Sequence, residues 1–339
     1  MNDRAVELLE QYEIEVLRIR KGRGAFLCDT DHGCLIFKEY TGPENRLQLQ
    51  DKLLKHIEEA GTVRAEVLIP NREGGLFVKD TDETKYVLKT WCEGRECDIY
   101  NREECARAVE LLAKLHDSMQ LQCSVEELPT AFSPEKEYEK HNRELKKVRK
   151  FLNQKSQKTW FEINLAKHFD FFLNQALAVT EEWKYYSGLE QKHGSDVQTG
   201  VGGAGVTVKF CHGDYQYHNI LRDNKGWFLV NFEKCMADDP IRDLYLLMRK
   251  LLEKGDWSVE LGSELIGTYE KFRPISALSR IDLYYRLSYP EKFWKIANFY
   301  YNSGKAWIPG RNLEKLEKLV EQEKAKQTFL DTLFRNVTP

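Results

Sequence analysis

The chain has 339 residues, 42% of them hydrophobic and 31% charged, a length that suggests two domains with sizeable cores. Its 51 basic and 54 acidic residues leave a net charge of -3, which speaks against a global field for nucleic acid or for a membrane surface. No apolar run approaches the roughly 20 residues of a membrane span.

The eight cysteines, Cys28, Cys34, Cys92, Cys97, Cys105, Cys123, Cys211 and Cys235, show no C-x-x-C pair and no metal-ligand spacing. They read as reduced thiols packed as small apolar groups. The acidic, amphipathic segment Met1 to Glu15 is wrong for a signal peptide, so the expectation is a protein made and kept inside the cell.

In chain order, Val6, Leu8, Leu9 and Tyr12 give residues 3 to 12 a helical spacing. The period then shortens. Glu15 to Arg20, Gly24 to Asp29 and Gly33 to Tyr40 predict three strands joined by turns at Lys21 to Arg23 and Thr30 to His32. Pro43 suits the first turn of a helix that runs to Ala60 and stops at Gly61. Val67 to Pro70, Leu76 to Val78 and Tyr86 to Trp91 complete a sheet, and beyond Trp91-Cys92-Glu93-Gly94 the pattern is mainly helical. Asn101 to Gln120 is an amphipathic helix whose stripe includes His116, read as satisfied in the core or packed against the polar loop described next. Ser133 to Phe151 is strongly basic, a solvated face or a patch for an anionic partner, and Trp160 to Tyr186 is a long aromatic helix. The glycine-rich run Gly200 to Gly205 opens no helix and fails the context of a dinucleotide fingerprint.

Chemistry concentrates between Val208 and Leu252. Two β-prone segments, Val206 to Phe210 and Trp227 to Val230, bracket His212-Gly213-Asp214 and Asn219, polar groups that a core would not bury without a use. The spacing His-Gly-Asp-x4-Asn sets a carboxylate beside an attacking hydroxyl and an amide oxygen toward Mg2+, as phosphoryl transfer requires. Four fixed residues arise by chance in about 0.2% of chains this long.

His212-Gly213-Asp214, Asn219, Phe232-Glu233 and Asp239 to Leu244 together resemble the aminoglycoside phosphotransferase and choline kinase family of protein-kinase-like folds. The tail Tyr289 to Asn298 with Lys305 to Asn312 is similar to the CotS-type spore coat proteins of endospore-forming bacteria. The resemblance covers essentially the whole chain. It implies an α+β, protein-kinase-like bilobal fold. Residues 1–91 would be a small nucleotide-covering lobe, an antiparallel β-sheet plus one helix, and residues 92–339 a larger, mainly helical lobe carrying the catalytic loop. It implies ATP and Mg2+ as cofactors and a small-molecule hydroxyl substrate, with other spore coat proteins as partners and neither nucleic acid nor membrane. The location would be the mother-cell cytoplasm, with assembly into the coat.

By the same resemblance Asp214 is the catalytic base, His212 props the loop, and Asp243 holds it by hydrogen bonds to its backbone. Lys38 on the third strand meets the nucleotide phosphates, and its acidic partner on the following helix is Glu44 or Asp51. Trp91 and Glu93 belong to the hinge that meets the adenine edge. Asn219, Asn231 and Glu233 stand at the metal positions, and Trp294, Tyr300, Tyr301 and Trp307 are candidates to stack on a sugar or cage an amine.

The departure is Asn231, where the family pattern has Asp. Asn keeps an oxygen lone pair but gives up a full charge opposite the cation. A unit charge pair at about 4 Å is worth roughly 4 kcal/mol at an effective dielectric of 20, or about three decades in metal affinity. If the segment is extended, residues 231 and 233 point the same way, and Glu233 is either a partial replacement or its usual self. Two readings follow. One is a weak or inactive phosphotransferase serving a structural or assembly role in the coat, and the other is an active Mg-ATP-dependent small-molecule kinase.

Overall fold

The computed structural model describes residues 2–22, 24–123, 134–193, 206–303, 310–335 and 337. Arg23, Gly200 to Gly205 and Trp307, each part of a segment singled out above, lie outside the described residues. The order of elements is α1 (Asn2–Leu9), β1 (Val16–Lys21), β2 (Ala25–Thr30), β3 (Gly33–Glu39), α2 (Glu44–Ala60), β4 (Leu68–Ile69), β5 (Val78–Lys79) and β6 (Lys85–Thr90). Then come β7 (Arg95–Glu96), α3 (Arg102–Ser118), β8 (Gln120–Cys123), α4 (Pro134–Gln154), α5 (Trp160–His193), β9 (Val206–Cys211), β10 (Ile220–Asp223), β11 (Gly226–Leu229) and β12 (Met236–Ala237). The remainder is helical: α6 (Ile241–Lys254), α7 (Val259–Glu270), α8 (Ala277–Ser288), α9 (Glu291–Asn302) and α10 (Gly310–Leu333).

The chain divides into two compact units, the first from Met1–Pro129, Thr207–Leu247 and Gly267–Pro274. Its main sheet is antiparallel in the order β1-β2-β3-β6-β4, with β5 also on β6. Alternation decides its two faces. Leu35, Phe37 and Leu88 bury one face against Leu8, Leu9 and Tyr12, with Phe37 stacked on Tyr86 at 5.1 Å. Ile36 is registered with Lys89 and Lys38 with Val87, so both lysines stand on the opposite face.

Local signals account for the helices of this unit. Pro43 enters α2 in an extended conformation, and Gly61 leaves it at φ 63°, a left-handed residue whose N–H meets the carbonyls of Ile57 and Glu58. The Asn101 side chain accepts the N–H groups of Glu103 and Glu104 at the start of α3. Two small sheets complete the unit, β11-β10-β7 and β12-β9-β8. The first turns tightly, with Asp223 paired to Gly226.

The second unit comprises Thr130–Val206, Met248–Ile266 and Ile275–Pro339. Its core is the aromatic stripe foreseen on α5 packed with α4, α8, α9 and α10: Leu145, Val148, Leu165, Phe169, Phe172 and Phe293 are all buried. Phe172 stacks on Phe293 at 4.5 Å. Each such side chain stabilises by about 2–3 kcal/mol through burial. Trp294 and Tyr300, candidates for a substrate cage, are used in this packing. Trp294 stacks on His141 at 3.5 Å and donates to Glu144, and the buried Tyr300 hydroxyl donates to Glu162. Tyr301 is more exposed and meets Phe151 edge-on. All eight cysteines are free.

Candidate active site

The site lies within the first unit and begins where β9 ends. Gly213 turns the chain at φ 77°, and a Cβ there would run into the carbonyl of Lys234. The turn is held from beneath. Asp243, fully buried in the first turn of α6, accepts the N–H of His212 at 2.6 Å and of Gly213 at 2.9 Å. His116 on α3 bonds the same carboxylate at 3.2 Å through Nε2, and its Nδ1 lies 2.8 Å from the Tyr269 hydroxyl.

Burial pushes His116 below its ordinary value against the pull of Asp243. Burial works against ionisation of Asp243, but the hydrogen bond from His116 and the loop N–H groups bring it below the usual carboxylate range. Burial also raises Tyr269, which stays protonated. The chain of donors is therefore Tyr269 O–H to neutral His116, and His116 Nε2–H to ionised Asp243.

His212, also fully buried, lies 3.0 Å from the Val230 carbonyl through Nε2 and accepts the Asp214 N–H on Nδ1 at 3.2 Å. That pattern requires the neutral Nε2–H tautomer. Asp214 projects from this frame. One oxygen accepts from Gln216 at 2.5 Å and the other from the Lys234 ammonium at 2.9 Å. Asn219 closes the loop by donating to the Asp214 carbonyl at 2.8 Å.

Asn231 is left-handed, φ 67° and ψ 54°, and a short 3-10 turn, Phe232–Lys234, follows it. The segment is therefore not extended, since position 231 reverses the chain in a conformation that Asn adopts more readily than most residues. The side chains of 231 and 233 still converge, both on Lys38. Its ammonium donates to Glu233 at 2.9 Å and lies 3.4 Å from the Asn231 amide oxygen. Neither helical acid reaches Lys38. Glu44 pairs with Lys85 at 2.8 Å and Asp51 with Lys55 at 2.7 Å.

Two residues not singled out in the sequence support this turn. Glu66, fully buried, accepts the N–H groups of Asn231 and Phe232 at 2.9 and 3.0 Å. Lys89, also buried, joins Glu66 at 2.9 Å to Glu233 at 2.5 Å. Burial would raise Glu233, but Lys89 and Lys38 bring it down to about 2. The available signal was a Lys inside the apolar strand Tyr86 to Thr90 and a Glu inside the apolar run Ala65 to Ile69.

In the segment expected to form the hinge, the Trp91 N–H bonds the Cys34 carbonyl at 2.9 Å, and its ring packs beside Leu221, Phe228 and Val230. Glu93 turns to Arg20 at 2.5 Å. A Cβ on Gly94 would lie 2.6 Å from the Arg222 carbonyl, so the chain passes there only as glycine.

The Asn219, Asn231 and Glu233 donor set does not fit a divalent cation in this arrangement. The Asn231 NH2 donates to the Asn219 amide oxygen at 2.7 Å, so the two would-be ligands satisfy one another. Reversing the Asn231 amide would set its NH2 against the Lys38 ammonium and its oxygen against that of Asn219, so the orientation is determined by its neighbours. Glu233 already carries two ammonium groups.

Solved structures share this fold. An aminoglycoside phosphotransferase from Alicyclobacillus acidocaldarius superposes with a TM-score of 0.80 at 18% identity, covering 98% of this chain and 96% of that one. Spectinomycin phosphotransferase APH(9)-Ia, in complex with ADP and spectinomycin, gives 0.62 at 14% identity over 96% and 98%. Choline kinase from Cryptosporidium parvum gives 0.55 at 14% over 99% and 100%. No curated protein matches the chain. The family described as "Spore coat putative kinase YutH" matches residues 5–333, and the chain belongs to that family of kinase-like spore coat proteins.

Proposed function

We propose that the protein is a nucleotide-binding, kinase-like component of the spore coat whose phosphotransferase chemistry is weak or lost, and whose role is structural or in coat assembly. The single observation that carries this is the Asn231 contact set. An amide donates to Asn219 where phosphoryl transfer needs a carboxylate facing a metal. In this reading residues 1–91 cover the nucleotide, Lys38 meets its phosphates, and the Trp91 to Gly94 hinge meets the base. Family membership supports the coat assignment, and likeness to a phosphotransferase in complex with ADP supports the nucleotide.

A second reading, an active Mg-ATP-dependent kinase of a small-molecule hydroxyl, is favoured by the intact loop. Asp214 is presented by a fully satisfied frame of His212, Asp243 and His116. One experiment separates the two: ATP turnover against a panel of hydroxyl substrates for wild type, Asp214→Ala and Asn231→Asp. We expect wild type to match Asp214→Ala at background. Wild-type turnover as high as that of Asn231→Asp, and abolished by Asp214→Ala, would sink the first reading. Spore fractionation tests the coat assignment separately, and absence from the coat fraction would count against it.

A further inference from the structure

We infer that this chain binds nucleotide phosphates without a divalent cation, lysine ammonium groups and one amide standing where the cation would otherwise bridge the site. The inference rests on the nucleotide-binding reading above and goes beyond it by stating how the phosphates are neutralised.

Three contacts carry it. First, two residues that face a shared cation offer it oxygen atoms, and bare oxygens so placed repel each other. Here the Asn231 NH2 fills that gap with a hydrogen bond of 2.7 Å to Asn219, which an Asp at 231 has no proton to make when ionised. Second, the Asp214 carboxylate is met by the Lys234 ammonium at 2.9 Å. Third, Glu233 is held by Lys38 at 2.9 Å and Lys89 at 2.5 Å, so a cation at that carboxylate would have to displace two ammonium groups.

Charge agrees with this arrangement. The ammonium groups of Lys38, Lys89 and Lys234 stand against the carboxylates of Glu66, Glu233 and Asp214, three against three, and the cluster is neutral with no metal. Before a nucleotide arrives, a divalent ion would leave excess positive charge among partly buried groups, so the site by itself needs none.

Two of the three ammonium groups are open to a ligand. The Lys38 side chain is 24% exposed and that of Lys234 is 63% exposed, whereas Lys89 is buried at 1%. An ammonium has three N–H donors. Lys234 uses one on Asp214, and Lys38 uses two on Asn231 and Glu233, among the described residues. The donors left over are what phosphate oxygens would meet. The ligand class is therefore a nucleoside di- or triphosphate taken as the free anion.

The experiment is calorimetric titration of the full-length chain with ATP, in EDTA and in excess Mg2+. We expect the wild-type Kd to differ by less than twofold between the two buffers. Lys234→Ala, an exposed position whose change leaves the core untouched, should weaken binding in EDTA about tenfold. Asn231→Asp should make binding Mg2+-dependent, tightening at least tenfold when Mg2+ is added. Wild-type binding that weakens tenfold or more in EDTA overturns the inference and leaves the nucleotide reading standing. Unchanged Lys234→Ala affinity, or Asn231→Asp binding indifferent to Mg2+, also overturns it. Absence of ATP binding in both buffers overturns the inference together with the nucleotide reading.

Discussion

Replacing Asp243 with Asn tests whether one carboxylate organises the catalytic-type loop. The side chain is fully buried and accepts three donors, the N–H groups of His212 and Gly213 and the Nε2–H of His116. Asn keeps the shape but offers one oxygen and one NH2, so either His212 or Gly213 loses its acceptor and faces a donor instead. An unpaired buried donor costs about 1–3 kcal/mol, and breaking a buried charged group out of its network costs about 3–5 kcal/mol. A local loss of about 3 kcal/mol is therefore expected, equivalent to roughly a hundredfold in the opening equilibrium. Amide hydrogen exchange at His212 and Gly213 reads that opening directly and should accelerate about a hundredfold. Combining Asp243→Asn with His116→Ala should cost clearly less than the sum of the two, because the donors share an acceptor. Exchange within threefold of wild type at both amides would refute the assignment of Asp243 as the loop's anchor.

Gly213→Ala should destabilise by about 2 kcal/mol or more in urea unfolding, since both its positive φ and the Lys234 carbonyl exclude a Cβ; an unchanged midpoint would show that the loop relaxes freely. Glu66→Gln retains the volume but removes the charge shared by Lys89 and two backbone N–H groups, and a cost of about 2–4 kcal/mol is expected. Little change there would mean that Glu233 alone satisfies Lys89. The pH dependence of Glu233 has a definite sign. Its folded value is depressed from 4.5 to about 2, so its contribution is present above about 4.5 and is lost as pH falls toward about 2. The stability gap between wild type and Glu233→Gln should stay constant from pH 7 to 5 and shrink below 4.5, and a gap that widened on acidification would contradict the pairing.

What the sequence disclosed follows the range of the interactions involved. The strands between Glu15 and Tyr40 and the helix between Pro43 and Gly61 depend on local period and on residues with restricted backbones, and these were legible. The glycine of His212-Gly213-Asp214 has a steric reason visible in the fold, and the motif around it had a low chance rate. Glu66 and Lys89 are different. Their partners lie 23 to 166 positions away, and nothing in one sequence says which of many charged residues will meet across a sheet face. A buried charge was signalled by each apolar context, but its partner was not. The partner of Lys38 illustrates the same limit. Helical position suggested Glu44 or Asp51, whereas Glu233, 195 positions away, makes the contact. The extended alternative at position 231 does not hold for a local reason, because Asn tolerates the left-handed region better than most residues.

Backbone and side chain at position 231 answer to different partners, which makes this position informative. The left-handed backbone is held by the Glu66 carboxylate through the N–H groups of Asn231 and Phe232, bonds that are indifferent to the side chain. Among the described residues, the side chain hydrogen-bonds Lys38 and Asn219. An Asp at 231 would keep the turn, because Asp shares with Asn a tolerance for positive φ. It would keep the Lys38 contact and strengthen it, since a charged acceptor binds an ammonium more tightly than an amide oxygen does. What it must lose is the donor to Asn219, leaving two oxygens facing one another with a negative charge between them. A proton, a water or a cation has to enter that gap. The exchange therefore changes the site's demand for a cation while leaving its frame in place, and the cation dependence of nucleotide binding becomes a direct measure of whether one amide has taken over the work of a metal.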